Sequence, residues 1–248
     1  MAPSELRERS AVVFGVGPSR GLGAAIARRF ARENFRLTIL GRSAEKLGAA
    51  ADELRASGAA VTPIVGDVTD EALVHTVIEA ADLPDAPLEA AIFNAGGNWP
   101  NGLLDMDAAF FENMWRVNAL AGFFFAQATI KMMLPRKRGV VLFTGASASL
   151  RGRANFAGFA AAKAALRAVA QSAAREFGPQ GIHVAQVIVD GAIDGDRINT
   201  FLPTLKEMRG PDGLLDPDAI ADKYWHLYRQ PRSAWTHELD LRPWAESW

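Results

Sequence analysis

The stretch Val12-Val13-Phe14-Gly15-Val16-Gly17-Pro18-Ser19-Arg20-Gly21-Leu22-Gly23 runs from an apolar, β-branched segment through spaced glycines into the alanine-rich Ala24–Phe30. The first part reads as a buried strand and the last as a helix, so the glycines fall in a strand-to-helix turn. Glycine permits a tight turn and leaves backbone N–H groups uncovered, and a helix start presents orphan donors at the positive end of its dipole. Gly17, Ser19, Arg20, Gly21, Leu22 and Gly23 therefore form a seat suited to a pyrophosphate. The spacing is G-x-x-x-G-x-G rather than the commoner G-x-G-x-x-G.

Outward from this turn the chain alternates short apolar runs with longer alanine-rich stretches. Strands are expected at Ala11–Val16, Leu37–Leu40, Val61–Val65, Ala90–Phe93, Val140–Phe143, His183–Val189 and Glu238–Leu241. Helices are expected at Leu22–Glu33, Ala44–Ser57, Glu71–Ala81, Met106–Leu134 and Phe156–Phe177. This order specifies an α/β fold: one doubly wound domain over residues 1–248, with a mostly parallel sheet of about seven strands and helices on both faces. The rhythm fails only over Gly195–Pro217, rich in glycine and proline, which reads as a mobile flap over a pocket.

The end of the second strand selects the nucleotide. An acidic residue there accepts a ribose 2′-OH, but this strand ends Leu40-Gly41-Arg42-Ser43. Arg42, with Arg20 and Ser43, is suited to a 2′-phosphate, which favours NADP(H) over NAD(H), although NAD(H) remains open and both arginines also suit plain solvation.

Composition removes other classes. The 248 residues carry a net charge of −1, which gives no field for a nucleic-acid backbone. There are no cysteines, and the four histidines are scattered, so a metal centre is not expected. Charges in Met1–Arg9 leave no signal peptide, and no uninterrupted run approaches a membrane span, so a cytoplasmic protein acting on a small molecule is expected, with no membrane partner.

With the glycine loop stand Asp67-Val68 after the third strand, Asn94-Ala95-Gly96 after the fourth, Asn118 in the long helix and Lys163 in the helix after the fifth. Together these resemble the short-chain dehydrogenase/reductase superfamily, a Rossmann-type fold, from Ala11 to about Pro243. The resemblance implies that Asp67 and Val68 border the adenine, that Asn94, Ala95 and Gly96 shape the nucleotide cleft, and that Lys163 bonds the nicotinamide ribose. It also implies that Ile193, in Val189-Asp190-Gly191-Ala192-Ile193, contacts the carboxamide, with Asp190 where the family has proline. A homodimer or homotetramer built on the long helices is implied as well.

The family's reaction uses a tyrosine four residues before the lysine and a serine thirteen before that tyrosine. Those positions here hold Phe159 and Ala146, neither with an exchangeable proton. Asn118 and Lys163 remain as catalytic candidates. Ser147 joins them if a one-residue bulge after the fifth strand turns it inward. The chain's two tyrosines, Tyr224 and Tyr228, read as packing or rim residues beside Trp225.

Three functions fit: an NADP(H)-dependent oxidoreductase of an apolar carbonyl, alcohol or activated alkene, with a water or an aspartate in place of the tyrosine; a nucleotide-binding protein without redox chemistry; or a lyase, isomerase or cyclase reusing the pocket. Asp190 and Asp194 read as turn formers or acid–base groups, and His183 as solvent-facing or locally bonded. Trp99 and the flap's Phe201, Leu202, Met208, Leu214 and Leu215 either give the pocket an apolar wall or simply cover the core. Trp225, Trp235, Trp244 and Trp248 suggest a subunit interface or a swapped tail.

Overall fold

In the computed structural model, which describes residues 8–246, the alternation read from the sequence becomes one seven-stranded sheet. Its strands are β1 (Arg9–Phe14), β2 (Phe35–Gly41), β3 (Val61–Val65), β4 (Leu88–Phe93), β5 (Gly139–Ala146), β6 (Ile182–Val189) and β7 (Glu238–Leu241). Their order is β3-β2-β1-β4-β5-β6-β7, and every neighbouring pair is parallel. Met1–Arg7 and Trp248, used above for targeting and for the tryptophan cluster, lie outside the described residues.

Alternate side chains of each strand feed two cores, as the two-residue pleat requires. Ala11 and Val13 face α1 (Leu22–Ala31) and α2 (Ala44–Ala56), whereas Val12 and Phe14 face α3 (Glu71–Ala81) and the longer helices. The expected helix Met106–Leu134 is α4 (Ala108–Trp115), a π-helical turn (Arg116–Leu120) and α5 (Ala121–Met133) in one run; α6 (Ala157–Phe177) follows β5.

Residues 108–136 form 29 helical residues with a mean hydropathy of 1.3 in their most apolar window, long and apolar enough by themselves to cross a membrane. The sequence reading counts uninterrupted apolar residues; this run reaches such a length only with Asn118, Gln127 and Lys131 inside it. Of that window 56% is buried, and Phe125, Ile130 and Met133 pack into the second core, as the covering helix of a parallel sheet must.

The segment read as loop holds two short helices, α7 (Asp196–Phe201) and α8 (Leu205–Arg209). Beyond it comes α9 (Pro217–Arg229), absent from the sequence reading. Asp216 caps α9 by accepting from Asp218 N at 2.8 Å, and Pro217 supplies the preset φ of a first helical residue. Tyr224 and Trp225 of α9 are buried in the first core beside Phe30, so Trp225 is a packing residue and not part of an interface. His183 is likewise buried rather than solvent-facing: it bonds the Thr236 carbonyl at 2.8 Å and stacks on Trp235.

Candidate active site

The sheet order reverses between β1 and β4, and ligands of open α/β sheets bind in the crevice at the carboxyl ends of such a pair. The glycine loop leaves β1 at this crevice and enters α1, whose first-turn donors are not covered by a capping side chain. A Cβ on Gly23 would collide with the Gly15 carbonyl, so glycine there is needed for α1 to start against the end of β1. Asn94 Nδ2 donates to the same carbonyl at 3.1 Å and ties the β4 end to the loop.

A cavity of about 270 Å³ lies along this crevice. Gly17, Arg42, Ser43, Asp67, Val68, Asn94, Ala95 and Gly96, all singled out in the sequence, line it. Lys46, Val117 and Gly66 line it too and were not. Lys46 was legible in principle: Ser43 caps α2, accepting from Lys46 N at 3.4 Å, and a residue three past the cap lies beside it. Arg42 and Lys46 are both exposed at the cavity and neither makes an ion pair with another described residue. Arg20, expected beside Arg42, turns the other way, with its guanidinium 3.8 Å from Asp194.

Asp194 is thereby fixed as a charged hub. Lys206 bonds it at 2.7 Å and Asn199 at 3.0 Å, and these contacts hold its carboxyl below the usual range. Ile193 pairs with Leu215 in an isolated parallel bridge at the base of the flap segment. From α7, Arg197 lies 4.8 Å over the Trp99 ring and donates to Asn98 O at 2.6 Å, while Phe201 meets Trp99 edge-on at 5.9 Å. Residues 195–217 thus contact the β4–α4 loop through Arg197, which the sequence reading did not single out, and through the Phe201–Trp99 pair it had placed in an apolar wall.

At the inner end of the crevice, Asn118 sits in the π-helical turn, a distortion common at functional sites. Its Nδ2 donates to Met114 O at 3.0 Å and Gly97 O at 3.3 Å, while its Oδ1 is buried without a partner among the described residues. A Cβ on Gly96 would stand 2.6 Å from that Oδ1 and 3.4 Å from Lys163 Nζ, so the absent side chain leaves the two groups a common space. Lys163 is 5% exposed and donates to Thr144 O at 2.9 Å. Burial pulls its ammonium down from 10.5 to about 8.

Thr144 also joins the two helix layers. Its hydroxyl donates to Asn94 Oδ1 at 2.9 Å, so the Tyr224 hydroxyl, 2.6 Å away, donates to Thr144. Burial drives the Tyr224 phenol well above its ordinary value. The one-residue bulge on which an inward Ser147 depended is absent from this ladder: β5 pairs with β6 without a shift as far as Ala146↔Val189. Ser147 then opens a 3₁₀ turn, and its hydroxyl bonds Asp190, not the space over Gly96. Asp190 is buried; burial raises its carboxyl, but Ser147, then Arg151 at 3.0 Å and Arg242 at 3.5 Å, outweigh this and hold it below 3.8. Phe159 places its ring centre 5.9 Å from Lys163 Nζ.

Residues 11–200 match the model of the short chain dehydrogenase family. An uncharacterized oxidoreductase of Staphylococcus aureus (strain USA300) is 26% identical over 238 residues, covering 96% of this chain and 98% of the relative. A short-chain dehydrogenase structure from Rhodopseudomonas palustris superposes with a TM-score of 0.80 at 38% identity, covering 95% of this chain and all of that one. The structure of a metagenomic short-chain oxidoreductase in complex with NADP gives 0.81 at 26% identity, covering 98% of this chain and 100% of that one.

Proposed function

The chain belongs to the short-chain dehydrogenase family, and on that footing we propose that it is an NADP(H)-dependent oxidoreductase of an apolar carbonyl, alcohol or activated alkene. The observation that carries the reading is the pair of cations, Arg42 and Lys46, that flank Ser43 on the cavity without ion-pair partners among the described residues. Two unpaired cations and a hydroxyl suit a 2′-phosphate, which offers charge and several acceptors where a 2′-OH offers little. The metagenomic relative in complex with NADP supports the same choice.

The residues present fit a dinucleotide. Gly17 has nothing within 4 Å of an added Cβ, so the turn is open to a ligand, and the orphaned Asn118 Oδ1 awaits a donor at the other end. The glycine loop and α1 would hold the pyrophosphate, Asp67 and Val68 the adenine, Arg42, Ser43 and Lys46 the 2′-phosphate, and Lys163 the nicotinamide ribose. When bound in its reduced form, the nicotinamide supplies a hydride. Trp99, Phe201 and Leu202 give the substrate side an apolar lip. Phe111, Trp115 and Phe123 leave an exposed apolar stripe on the 108–133 helical run, which suits pairing with a second copy.

Calorimetric titration with NADPH and NADH, followed by NADPH consumption over a panel of aldehydes, ketones and activated alkenes, tests the reading. Tighter NADPH binding with turnover of a panel member is expected. Failure to bind either dinucleotide overturns it, and binding without turnover favours a nucleotide-sensing protein.

A further inference from the structure

We propose that Lys163 is itself the acid–base group of this site: its Nζ gives up the proton that a carbonyl oxygen gains on reduction. The inference rests on the oxidoreductase reading above and replaces the water or aspartate that the sequence alone suggested.

The nearby hydroxyls are committed elsewhere. The single proton of Tyr224 goes to Thr144, because that of Thr144 goes to Asn94. Ser147 bonds Asp190, and Ser149 donates to Ala146 O at 2.7 Å. Asp190 is held as a carboxylate by Arg151 and Arg242, and Phe159 has no proton to give. Among these groups Lys163 combines burial, spare N–H groups and a place against Gly96, which lines the crevice. Among the described residues only Thr144 O accepts from its Nζ, which leaves two of three N–H groups, one for the ribose and one for the space over Gly96, a residue that lines the cavity. Across the same space stands the unpartnered Asn118 Oδ1. A donor facing an unsatisfied acceptor is the pairing that holds a hydroxyl: Nζ donates to its oxygen and Oδ1 takes its hydrogen.

The step balances. The carbonyl carbon gains a hydride from a reduced nicotinamide dinucleotide, the C=O π bond opens, and its oxygen takes a proton from the ammonium. An alcohol, an oxidised dinucleotide and a neutral amine remain, and solvent returns the proton to the amine. Burial is the one cause that moves the Lys163 ammonium. The charged groups on the elements packed against α6 are engaged or distant: Arg116 pairs with Glu112 at 3.4 Å, Asp190 with its arginines, His183 lies at the opposite end of β6, and Lys131 is exposed near the end of α5. On α6 itself, Arg167 pairs with Glu238 at 2.6 Å, and Arg175 and Glu176 belong to its last turn.

The test follows kcat/KM against pH for whichever panel carbonyl turns over, with ε-¹³C-lysine NMR of the free protein as an independent readout, assigned by Lys163→Met. The reductive rate is expected to hold below pH 8 and to fall about tenfold per unit above it, together with the Lys163 resonance. Lys163→Met should lose about 10²–10⁴ in rate, and adding Phe159→Tyr to it should restore turnover with the limb moved toward the ordinary tyrosine range near 10. A limb near 8 that persists in Lys163→Met, or a resonance titrating above 10, overturns the proposal. NADPH binding with nothing on the panel reduced overturns the oxidoreductase reading and the proposal with it, and reduction of alkenes alone overturns only the proposal; both results are distinct from carbonyl turnover that ignores Lys163.

Discussion

The Tyr224 hydroxyl lies 2.6 Å from that of Thr144, whose carbonyl holds Lys163 Nζ at 2.9 Å, so one residue of β5 joins α9 on one face of the sheet to α6 on the other. Tyr224→Phe removes the donor while keeping the ring in the core. A loss of about 1 kcal/mol is expected, read as a lower urea midpoint with an unchanged slope.

The cavity cations set nucleotide choice. Arg42→Ala or Lys46→Ala should weaken NADPH about ten- to hundredfold, the worth of a hydrogen bond to a charged group, and leave NADH nearly unchanged. Calorimetry with both nucleotides reads the ratio, and an equal loss for both would remove the 2′-phosphate assignment.

Asp190 should matter more at neutral pH than in acid. Its folded carboxyl lies below the ordinary 3.8, so its stabilisation is full above about pH 4 and fades as pH falls through the folded value. Asp190→Asn should cost about 1–3 kcal/mol at pH 7, chiefly from Arg151 left without its carboxylate while Arg242 keeps Asp240 at 2.8 Å, and less at pH 3. Denaturant curves at the two pH values measure the difference.

Gly195 is packed on the cofactor loop: an added Cβ would stand 2.6 Å from Arg20 O. Gly195→Ala should force the start of α7 off that loop, costing about 1–3 kcal/mol. A lower melting temperature with weaker dinucleotide binding is the expected result; unchanged values for both would show that the contact relaxes freely.

Strand–helix alternation made the sheet legible, because buried parallel strands must be apolar. Its edges were less so. β5 reads as Val140–Phe143 from its apolar run, yet Thr144-Gly145-Ala146 continue it, since their partners are Val187, Ile188 and Val189 of β6 and not their own propensity. The same extension carries Thr144 to Lys163 and aims Ser147 at Asp190. α9 was hidden by Pro217, counted as loop punctuation although proline after Asp216 is a helix start. Residue types marked Arg20 and Arg42 alike as phosphate ligands; only the path of the chain after β6 separates them, by bringing Asp194 to Arg20.

The π-helical turn Arg116–Leu120 has a consequence for the chain beyond it. A single surplus residue widens that turn, and each residue of an α-helix advances the face by about 100°. Deleting one position there would restore the regular ladder and leave Phe125, Ile130 and Met133 in phase against the second core, because the widened turn already absorbs that rotation, while Asn118 would be withdrawn from Gly96. The surplus residue therefore serves to aim the amide and not to seat the oily side of the helix, so its loss would reach the site while the core stayed packed.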